Sequence, residues 1–398
     1  MIRALPALLL AATAAVPAAA QTFTWGERNT DFAPAFPEQF RAELATSDVE
    51  LERALVAGNL VHPWGIAVLP DGEGCLVTER PGRMRMLMED GTLSEPISGL
   101  PEVYAQKQGG LLDVAVGPTF AEDRTIYVTY AKPMGDGMSA TAAAKMVLSE
   151  DGRSVSKVED IFVQGPPSPS PMHYGSRIVF PGDGTAVITT GEHFTEEERD
   201  YAQDLDKTYG KVVRVNLDGS IPEGNPFVGQ DGAEDAIWSL GHRNIQGAAV
   251  DADGTLWTIE HGPKGGDELN RPEAGLNYGW PVVSYGEQYS GEAVGSGQAS
   301  MEGMEQPVYF WDPVIAPGGM DFHSGDSFAE WNGDALIGSL YPGGVVRLSF
   351  DAEGRVSEEE RLLREVGRVR DVEVMDDGSF LILTDFENGG VYRITPKG

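Results

Sequence analysis

The chain has 398 residues, of which 62 are acidic and 29 are basic, so its formal net charge at pH 7 is −33. An excess of acid on this scale repels the phosphate backbone of nucleic acid, so we exclude nucleic acid as a partner. The single cysteine, Cys75, excludes an internal disulfide, and its apolar surroundings in CLVTE predict a buried, inert thiol.

The first predicted element is a signal peptide at residues 1–20. It joins Arg3 to a short apolar run that ends in three alanines, which is the pattern of a cleavable secretory signal. No later stretch reaches the roughly 18 consecutive apolar residues that a transmembrane helix requires. We therefore expect a mature protein of residues 21–398 that is periplasmic or secreted and has no membrane span.

Helical periodicity is confined to two short segments. They read FPEQFRAELA (residues 36–45) and TEEERDYAQDL (residues 195–205), and both are interpreted as short helices. The rest of the chain, with 50 glycines and 26 prolines, alternates between strand-like runs and turns.

A phrase of strand, Asp-Gly turn and strand recurs along the chain. Four clear copies occupy residues 65–79, 176–192, 248–262 and 371–385, and two looser copies occupy residues 113–130 and 320–340. A glycine followed by an arginine-bearing strand trails several of these copies, as in GKVVRVNLDG. Each repeat is therefore a pair of hairpins.

Six such repeats, spaced by about 50 to 70 residues, are the signature of a propeller with four-stranded blades. We predict an all-β fold, a six-bladed β-propeller with four-stranded antiparallel blades, in one domain covering residues 21–398. The alternative, a β-sandwich followed by a second domain, would need a linker, and no stretch has linker composition. Function in a propeller gathers where the loops of several blades meet at one end of the central channel.

The loop HGPKGGDELN (residues 261–270) follows one of these strands and is rich in glycine and oxygen ligands. Its glycines leave the carbonyls of Gly262 and Pro263 free to turn toward a cation, and Asp267 and Glu268 add carboxylates. By itself the loop is better interpreted as a tight acidic turn.

The neighbouring motifs favour the metal interpretation, because together they resemble a known family. The order GHRNIQG (residues 241–247), EHGPKGGDELN (residues 260–270) and NYGWP (residues 277–281) is similar to that of the soluble PQQ-dependent aldose sugar dehydrogenases, the family of soluble quinoprotein glucose dehydrogenase. PWGIAVLPDG, QGGLLDVAVGP, HYGSRIVF and GRVRDV match in the same order. The resemblance covers nearly the whole mature chain and implies a six-bladed propeller, the cofactor pyrroloquinoline quinone (PQQ), and Ca²⁺.

The resemblance also assigns residues to the cofactor. PQQ carries three carboxylates, which planar guanidinium groups can bind in pairs. Arg368 and Arg370 in GRVRDV are two residues apart in a predicted strand, so both side chains can reach one ligand. Arg243 and Asn244 match the family residues that contact the quinone. Without the resemblance, Arg368 and Arg370 would be interpreted as a solvated strand face paired with nearby acids.

The implied reaction is the oxidation of an aldose at C1, with electrons passed on to an external acceptor. His173 matches the family's catalytic base, a task suited to a neutral imidazole. Gln108 matches a residue that positions the substrate, and Arg243 would steady the developing negative charge. The remaining five histidines are interpreted as structural, although His261 is the second choice for the base.

Calcium is implied at two places. One ion would bind the carbonyls of Gly262 and Pro263 together with the cofactor and polarise the quinone. Glu268 and Tyr278, the latter through its carbonyl or its side chain, match a second, structural calcium site. Asp267 is either a neighbour of that site or a turn residue.

The chain departs from the family pattern at two positions. A lysine that binds PQQ is replaced by Tyr341, and an acid that precedes the catalytic histidine is replaced by Met172, so a cofactor charge and a partner that orients His173 are expected to be missing.

Two other functions stay open: a calcium-dependent lactonase and a non-catalytic propeller that binds a protein or carbohydrate partner. The sequence is compatible with a monomer or a homodimer.

Overall fold

The computed structural model describes residues 23–398, so the predicted signal peptide lies outside the described residues. The strands form six sheets around a central channel, which confirms the six-bladed β-propeller. The strands that precede the blades are β1 (Glu43–Leu44) and β2 (Leu51–Leu60). Blade 1 contains β3 (Pro63–Val68), β4 (Cys75–Glu79) and β5 (Arg83–Leu87). Blade 2 contains β6 (Leu111–Val116), β7 (Thr125–Gly135), β8 (Met138–Leu148) and β9 (Val155–Val163). Blade 3 contains β10 (Gly175–Val179), β11 (Thr185–Thr190), β12 (Lys211–Asn216) and β13 (Ile237–Leu240). Blade 4 contains β14 (Ile245–Val250), β15 (Leu256–Glu260), β16 (Asp267–Asn270) and β17 (Tyr309–Trp311). Blade 5 contains β18 (Pro317–Phe322), β19 (Ala335–Ser339), β20 (Gly344–Phe350) and β21 (Val356–Leu362). Blade 6 contains β22 (Val369–Val374), β23 (Phe380–Thr384) and β24 (Gly389–Pro396).

Each blade is an antiparallel meander whose first strand lines the channel. The six inner strands β3, β6, β10, β14, β18 and β22 contact one another in this order, and β22 contacts β3 again, so the ring is closed. The hairpin turns form because glycine accepts the left-handed conformation that they require. In blade 4, Gly254 has φ +83° and its amide donates to the Asp251 carbonyl, while the Asp251 side chain accepts the Thr255 amide at 2.9 Å.

The two ends of the described chain are joined in one blade. Strand β2 pairs antiparallel with β24, from Leu51 opposite Pro396 to Leu60 opposite Gly389. It thereby supplies the outer strand of blade 6, whose other three strands come from the end of the chain.

The outer edges of blades 1 and 5 are closed by irregular segments. Blade 1 has three regular strands, and its fourth place is taken by residues 93–97, where Ser94 and Ile97 donate to the carbonyls of β5 at 2.8 Å. The short strand β1 adds in parallel to the edge of blade 5. Edge strands are thus covered instead of being left to pair with other molecules.

Neither predicted helix forms a full α-helix. Residues 36–45 contain only the 3₁₀ turn Pro37–Gln39, because the following backbone pairs with blades 4 and 5, as at the Ala45 amide and the Glu359 carbonyl. Residues 195–205 contain the 3₁₀ helix Glu198–Ala202. Its end is held by Lys211, whose ammonium donates to three main-chain carbonyls at 2.8 to 2.9 Å.

The only α-helix in the part of the chain that the structure describes is Phe120–Asp123, between β6 and β7. No helix there has the length and apolarity needed to cross a bilayer. Cys75 is buried as predicted, and burial raises the pKa of its thiol to about 12, which keeps it in the unreactive protonated form.

A charged cluster fills the channel between the inner strands. The guanidinium of Arg177 on β10 contacts Asp113 at 2.8 Å and Asp371 at 2.9 Å, and its Nε donates to the Gln246 carbonyl at 2.7 Å. Each of its nitrogens therefore lies within hydrogen-bonding distance of an oxygen. The ring of Trp64 lies 4.4 Å from the same guanidinium. This cluster ties four blades together at the axis.

Candidate functional site

The predicted site residues gather at one end of the channel, where the inner strands begin. We call this end the mouth. Gln108, His173, Arg243 and Arg368 each lie within three residues of the start of an inner strand. The connections from the second to the third strand of the blades reach the same end and add the loop of residues 261–266.

His173 is fixed in one orientation by two neighbours. Its backbone is left-handed, with φ 45°, and its amide donates to the side-chain oxygen of Gln108 at 2.8 Å. Its ring Nδ1 lies 2.8 Å from Oε1 of Glu192. Because a carboxylate only accepts hydrogen bonds, Nδ1 carries the proton and Nε2 presents a lone pair. No hydrogen bond within residues 23–398 occupies that Nε2.

The protonation of His173 suits a general base. Burial lowers the pKa of His173, and the charge of Arg243 lowers it further, while Glu192 opposes both. Burial would raise the pKa of Glu192, but His173 and Arg243 outweigh it and hold that pKa below its usual range. At neutral pH the pair is therefore a neutral imidazole beside an ionised carboxylate.

Glu192 corrects one prediction from the sequence. The residue before His173 is Met172, which led us to expect that His173 has no orienting partner. That expectation is wrong, because the partner comes from the end of β11 instead of the preceding residue. The signal was present in the sequence: an acid ends the hairpin repeat at Glu79, Glu192, Glu260 and Asp385.

Arg243 is buried next to His173 and fixed on one side. Its amide donates to Glu260 at 2.5 Å, its NH1 donates to the Gly262 carbonyl at 2.7 Å, and its guanidinium lies 5.1 Å from the centre of the Trp280 ring. The sequence led us to expect a free Gly262 carbonyl. Instead, this carbonyl already accepts a hydrogen bond from Arg243. On the other side, Nε of Arg243 is buried and has no hydrogen-bond partner.

Asn244, the next residue, is also buried. Its side-chain oxygen accepts the Gly175 amide at 3.1 Å and the Gln246 side-chain amide at 3.2 Å. The oxygen is thus used within the protein, and the NH₂ group is the part of the side chain that could contact a ligand.

Arg368 and Arg370 converge on one carboxylate of the protein itself, that of Asp385, which is the pairing with a nearby acid that the sequence offered as the alternative, so their role toward a cofactor stays a prediction. Both donate to Oδ2 of Asp385, at 3.0 and 3.2 Å, and Arg370 also donates to Gln246 at 2.9 Å. Burial would raise the pKa of Asp385, but Arg370 and His62 outweigh it and lower that pKa. Arg370 is buried and its Nε has no hydrogen-bond partner, whereas the Arg368 side chain is 45 % exposed.

The loop of residues 261–270 is organised by Asp267. Its carboxylate accepts the amides of Gly262, Ile315 and Ala316 at 2.7 to 2.8 Å. Burial raises the pKa of Asp267 to about 7, although the three amides oppose the shift. Asp267 therefore holds the loop to the segment that leads into blade 5. Its charge also helps to raise the pKa of Glu268, so it is a neighbour of the proposed metal site as well.

A small cavity of about 10 Å³ lies beneath this loop, with room for one water-sized sphere. Gly262, Pro263, Glu268 and Tyr278 all line it, together with Glu260. The sequence-predicted metal ligands are thus brought together.

The charge around the cavity is unbalanced. Burial and the nearby charge of Glu260 raise the pKa of Glu268 well above its usual value. Its carboxylate accepts a hydrogen bond from the Asn270 side chain at 3.5 Å. The Tyr278 hydroxyl donates to the Arg271 carbonyl and accepts the Glu273 amide. The main-chain carbonyl of Tyr278 is consequently a better candidate metal ligand than its hydroxyl. A divalent cation would relieve the repulsion between the two glutamates.

Tyr341, at the position of the family's lysine, lies in the turn after β19 with 66 % of its surface exposed. It provides no charge to a ligand in the mouth. The expectation of a missing cofactor charge at this position therefore stands as a prediction.

Comparisons with known proteins agree with the geometry. A family model described as glucose/sorbosone dehydrogenase matches residues 60–393. The chain is 40 % identical over 356 residues to the aldose sugar dehydrogenase YliI of Escherichia coli, covering 89 % of this chain and 94 % of that protein. The apo crystal structure of the soluble E. coli aldose sugar dehydrogenase superposes with a TM-score of 0.84, covering 87 % of this chain and all of that one at 40 % identity. The PQQ-bound aldose sugar dehydrogenase of Streptomyces coelicolor superposes with a TM-score of 0.72 at 25 % identity, covering 88 % and 100 % of the two chains.

Proposed function

Because this chain belongs to the glucose/sorbosone dehydrogenase family, we propose that it is a PQQ-dependent aldose sugar dehydrogenase that also uses Ca²⁺. The substrate would be an aldose, oxidised at C1 to the lactone, with the electrons passed to an external acceptor. The observation that carries the proposal is the arrangement of His173, whose Nδ1 is held by Glu192 while Nε2 is left for a substrate beside Arg243.

The residues at the mouth fit PQQ. Two arginines, Arg243 and Arg370, each keep a buried Nε without a partner, and a buried N–H without an acceptor is costly. The carboxylates of PQQ would satisfy Arg370 and the more exposed Arg368, while Arg243 and Asn244 would contact the quinone. Bound PQQ would supply the acceptor for the hydride that leaves C1, and Ca²⁺ would make the quinone more electrophilic.

The residues beneath the mouth fit Ca²⁺. Hard cations prefer oxygen ligands, and the cavity offers the carbonyls of Gly262, Pro263 and Tyr278 along with the Glu268 carboxylate. Because the cavity has room for one water-sized sphere, we assign it to one structural ion held by the Glu268 carboxylate and the Tyr278 carbonyl. An ion that contacts the cofactor would bind the Gly262 and Pro263 carbonyls outside this cavity.

The chain's own side chains would perform the proton chemistry. His173 Nε2 accepts the proton of the C1 hydroxyl, and the resulting imidazolium is stabilised by the Glu192 carboxylate. Arg243 would stabilise negative charge on a bound quinone. Gln108 uses its oxygen to hold the His173 amide, so its NH₂ group is the part that would bind a sugar hydroxyl.

The decisive experiment is a dye-linked assay on purified protein. We expect aldose oxidation that requires both added PQQ and Ca²⁺ and gains nothing from NAD. Denaturing extraction of a separate sample shows whether the purified protein already carries PQQ, and a chelator removes the metal. Activity that persists in chelated protein that carries no PQQ would contradict the proposal, and no activity with any aldose would favour a non-catalytic propeller. We also propose the periplasm as its location, which the processed N-terminus of the exported protein would test.

A further inference from the structure

An exposed aromatic ring lies directly against the proposed base. Phe194 has 45 % of its surface exposed, yet its ring centre is 4.8 Å from that of His173 and tilted by 60°. The Arg243 guanidinium lies 5.9 Å from the same ring centre. A large apolar side chain left in solvent beside a buried polar site marks a surface that gains from being covered.

The backbone at this position is strained. His193 and Phe194 have φ 62° and 67°, a left-handed conformation that is unfavourable for residues other than glycine. Two consecutive residues of this kind persist only where their surroundings hold them. Such strain is concentrated at functional sites.

The surroundings do hold this segment. The buried His193 ring donates from Nε2 to Gln164 at 2.7 Å and packs edge-to-face with Tyr174 and Tyr209. The Phe194 amide donates to Oε2 of Glu192 at 2.7 Å. One carboxylate therefore fixes both the His173 ring and the Phe194 backbone.

The far side of Phe194 faces a loop of blade 4. Tyr289 on that loop has 67 % of its surface exposed, and its ring centre is 6.3 Å from that of Phe194. The loop is tied to the mouth by paired backbone hydrogen bonds between Lys264 and Glu287 at 2.9 and 3.1 Å. Phe194 thus lies at the mouth near both the His173 ring and the Tyr289 ring.

We propose that Phe194 is a specificity-determining residue that stacks against the closed ring of the sugar. This inference rests on the proposed function. A pyranose whose hydroxyls are all equatorial presents an unbroken C–H face, which an aromatic ring can cover, whereas an axial hydroxyl interrupts that face. A sugar stacked on Phe194 would lie beside the His173 ring, whose centre is 4.8 Å from that of Phe194. The site therefore selects aldopyranoses with equatorial hydroxyls.

The test compares two aldohexopyranoses, one all-equatorial and one epimer with an axial hydroxyl, on the parent, Phe194→Ala and Phe194→Tyr. We expect Phe194→Ala to raise KM for the all-equatorial sugar about 3- to 10-fold, with less effect on the epimer. Phe194→Tyr should stay close to the parent. Met88→Ala is the control, because Met88 is similarly exposed, at 42 %, in the turn after β5 and away from the mouth.

A role as a mere shield of His173 would give another pattern. In that case Phe194→Ala would lower kcat and move the acidic limb of the pH profile while KM stayed constant for both sugars, and the inference would be overturned. Equal KM values in every variant would overturn it as well.

Binding measured by calorimetry separates this inference from the proposed function. If the parent binds the all-equatorial sugar without oxidising it, the proposed function fails, and a matching loss of affinity in Phe194→Ala still supports the stacking role. If the parent neither binds nor oxidises any aldose, both are overturned.

Discussion

Blades 3 and 4 each place a histidine just before the inner strand and a carboxylate at the end of the second strand. His173 reaches Glu192 at 2.8 Å, and His242 reaches Glu260 at 2.9 Å, in both cases through Nδ1. The pair recurs between blades 1 and 6, where His62 reaches Asp385 at 2.8 Å. A hydrogen-bonded pair of histidine and acid is therefore a property of the repeat and does not by itself indicate catalysis.

The second ring nitrogen distinguishes the two blades. Nε2 of His242 lies 2.9 Å from the Ser239 hydroxyl, and its ring stacks on Tyr278 with no solvent exposure. Nε2 of His173 has no such partner within the described chain. The comparison teaches that a histidine–acid pair alone does not mark a base, and that the Nε2 without a partner in residues 23–398 is what makes His173, and not His242, the candidate.

The largest expected effect would separate the two histidines directly. His173→Gln should lower turnover by about two to four orders of magnitude, because the amide cannot take the hydroxyl proton as a base, while PQQ binding and the free energy of unfolding stay near the parent values. His242→Gln should instead lower the free energy of unfolding by about 1 to 3 kcal/mol, since it leaves buried groups unpaired. Steady-state kinetics measure the turnover of each variant, and urea unfolding measures its free energy of unfolding. Turnover of His173→Gln within a few-fold of the parent would make both histidines structural and move the search for the base to His261.

The same contrast extends to the arginines. Arg370→Ala should raise the PQQ concentration needed for half-saturation by about 10- to 150-fold, from a charge-assisted contact worth roughly 1.5 to 3 kcal/mol. Arg177→Met, which removes a buried cation paired with Asp113 and Asp371, should destabilise the fold by about 3 to 5 kcal/mol. Titration of PQQ absorbance and urea unfolding would measure these. An unchanged PQQ titration for Arg370→Ala, or for the matched Arg368→Ala, would mean that these arginines only neutralise Asp385.

A smaller effect is expected from the carboxylates. Glu192→Gln should lower kcat/KM by about 10- to 100-fold, because the imidazolium loses its ionised partner. Glu192 raises the pKa of His173, so its removal lowers that pKa further and should move the acidic limb of the profile to lower pH. Glu260→Gln is the structural counterpart and should leave that limb in place. A limb that stays fixed in Glu192→Gln, measured from pH 4 to 8, would argue that another group titrates there.

The smallest expected effect concerns the metal. Ca²⁺ at ten times its Kd should stabilise the folded protein by about 1.4 kcal/mol, and Glu268→Gln should abolish this gain. Without Ca²⁺ the raised pKa of Glu268 makes its contribution favourable at low pH and lost as the pH rises above its usual pKa, so the dependence on Ca²⁺ should grow with pH. Thermal unfolding with and without a chelator measures both. Equal stabilisation of the variant and the parent by Ca²⁺ would place the ion elsewhere.

Much of the fold was readable from the sequence because hairpin turns are local. The Asp-Gly turn at Gly254 is fixed by residues within four positions of it, and six such units predict the blade number. The helices were predicted wrongly because distant groups decide there: Lys211 takes carbonyls at the end of the segment Glu198–Ala202 that a longer helix would have used.

The site divides in the same way. His173, Arg243, Arg368 and Arg370 could be found because each lies in a contiguous motif. Glu192 is close in sequence to His173 but across a hairpin, and only the repeat pattern hinted at it. The place of Phe194 against His173 depends on two left-handed residues that no propensity predicts.

The closure of the ring by β2 and β24 affects how the chain reaches its native state. The ten-residue strand β2 pairs with β24, the last strand of the chain, so during synthesis it has no partner until nearly the whole chain has been made. A contact of such long range forms slowly, and an unpaired strand can meanwhile associate with other chains. Substitutions in β2 should therefore be felt first as a lower yield of folded molecules, even where the finished propeller is as stable as before.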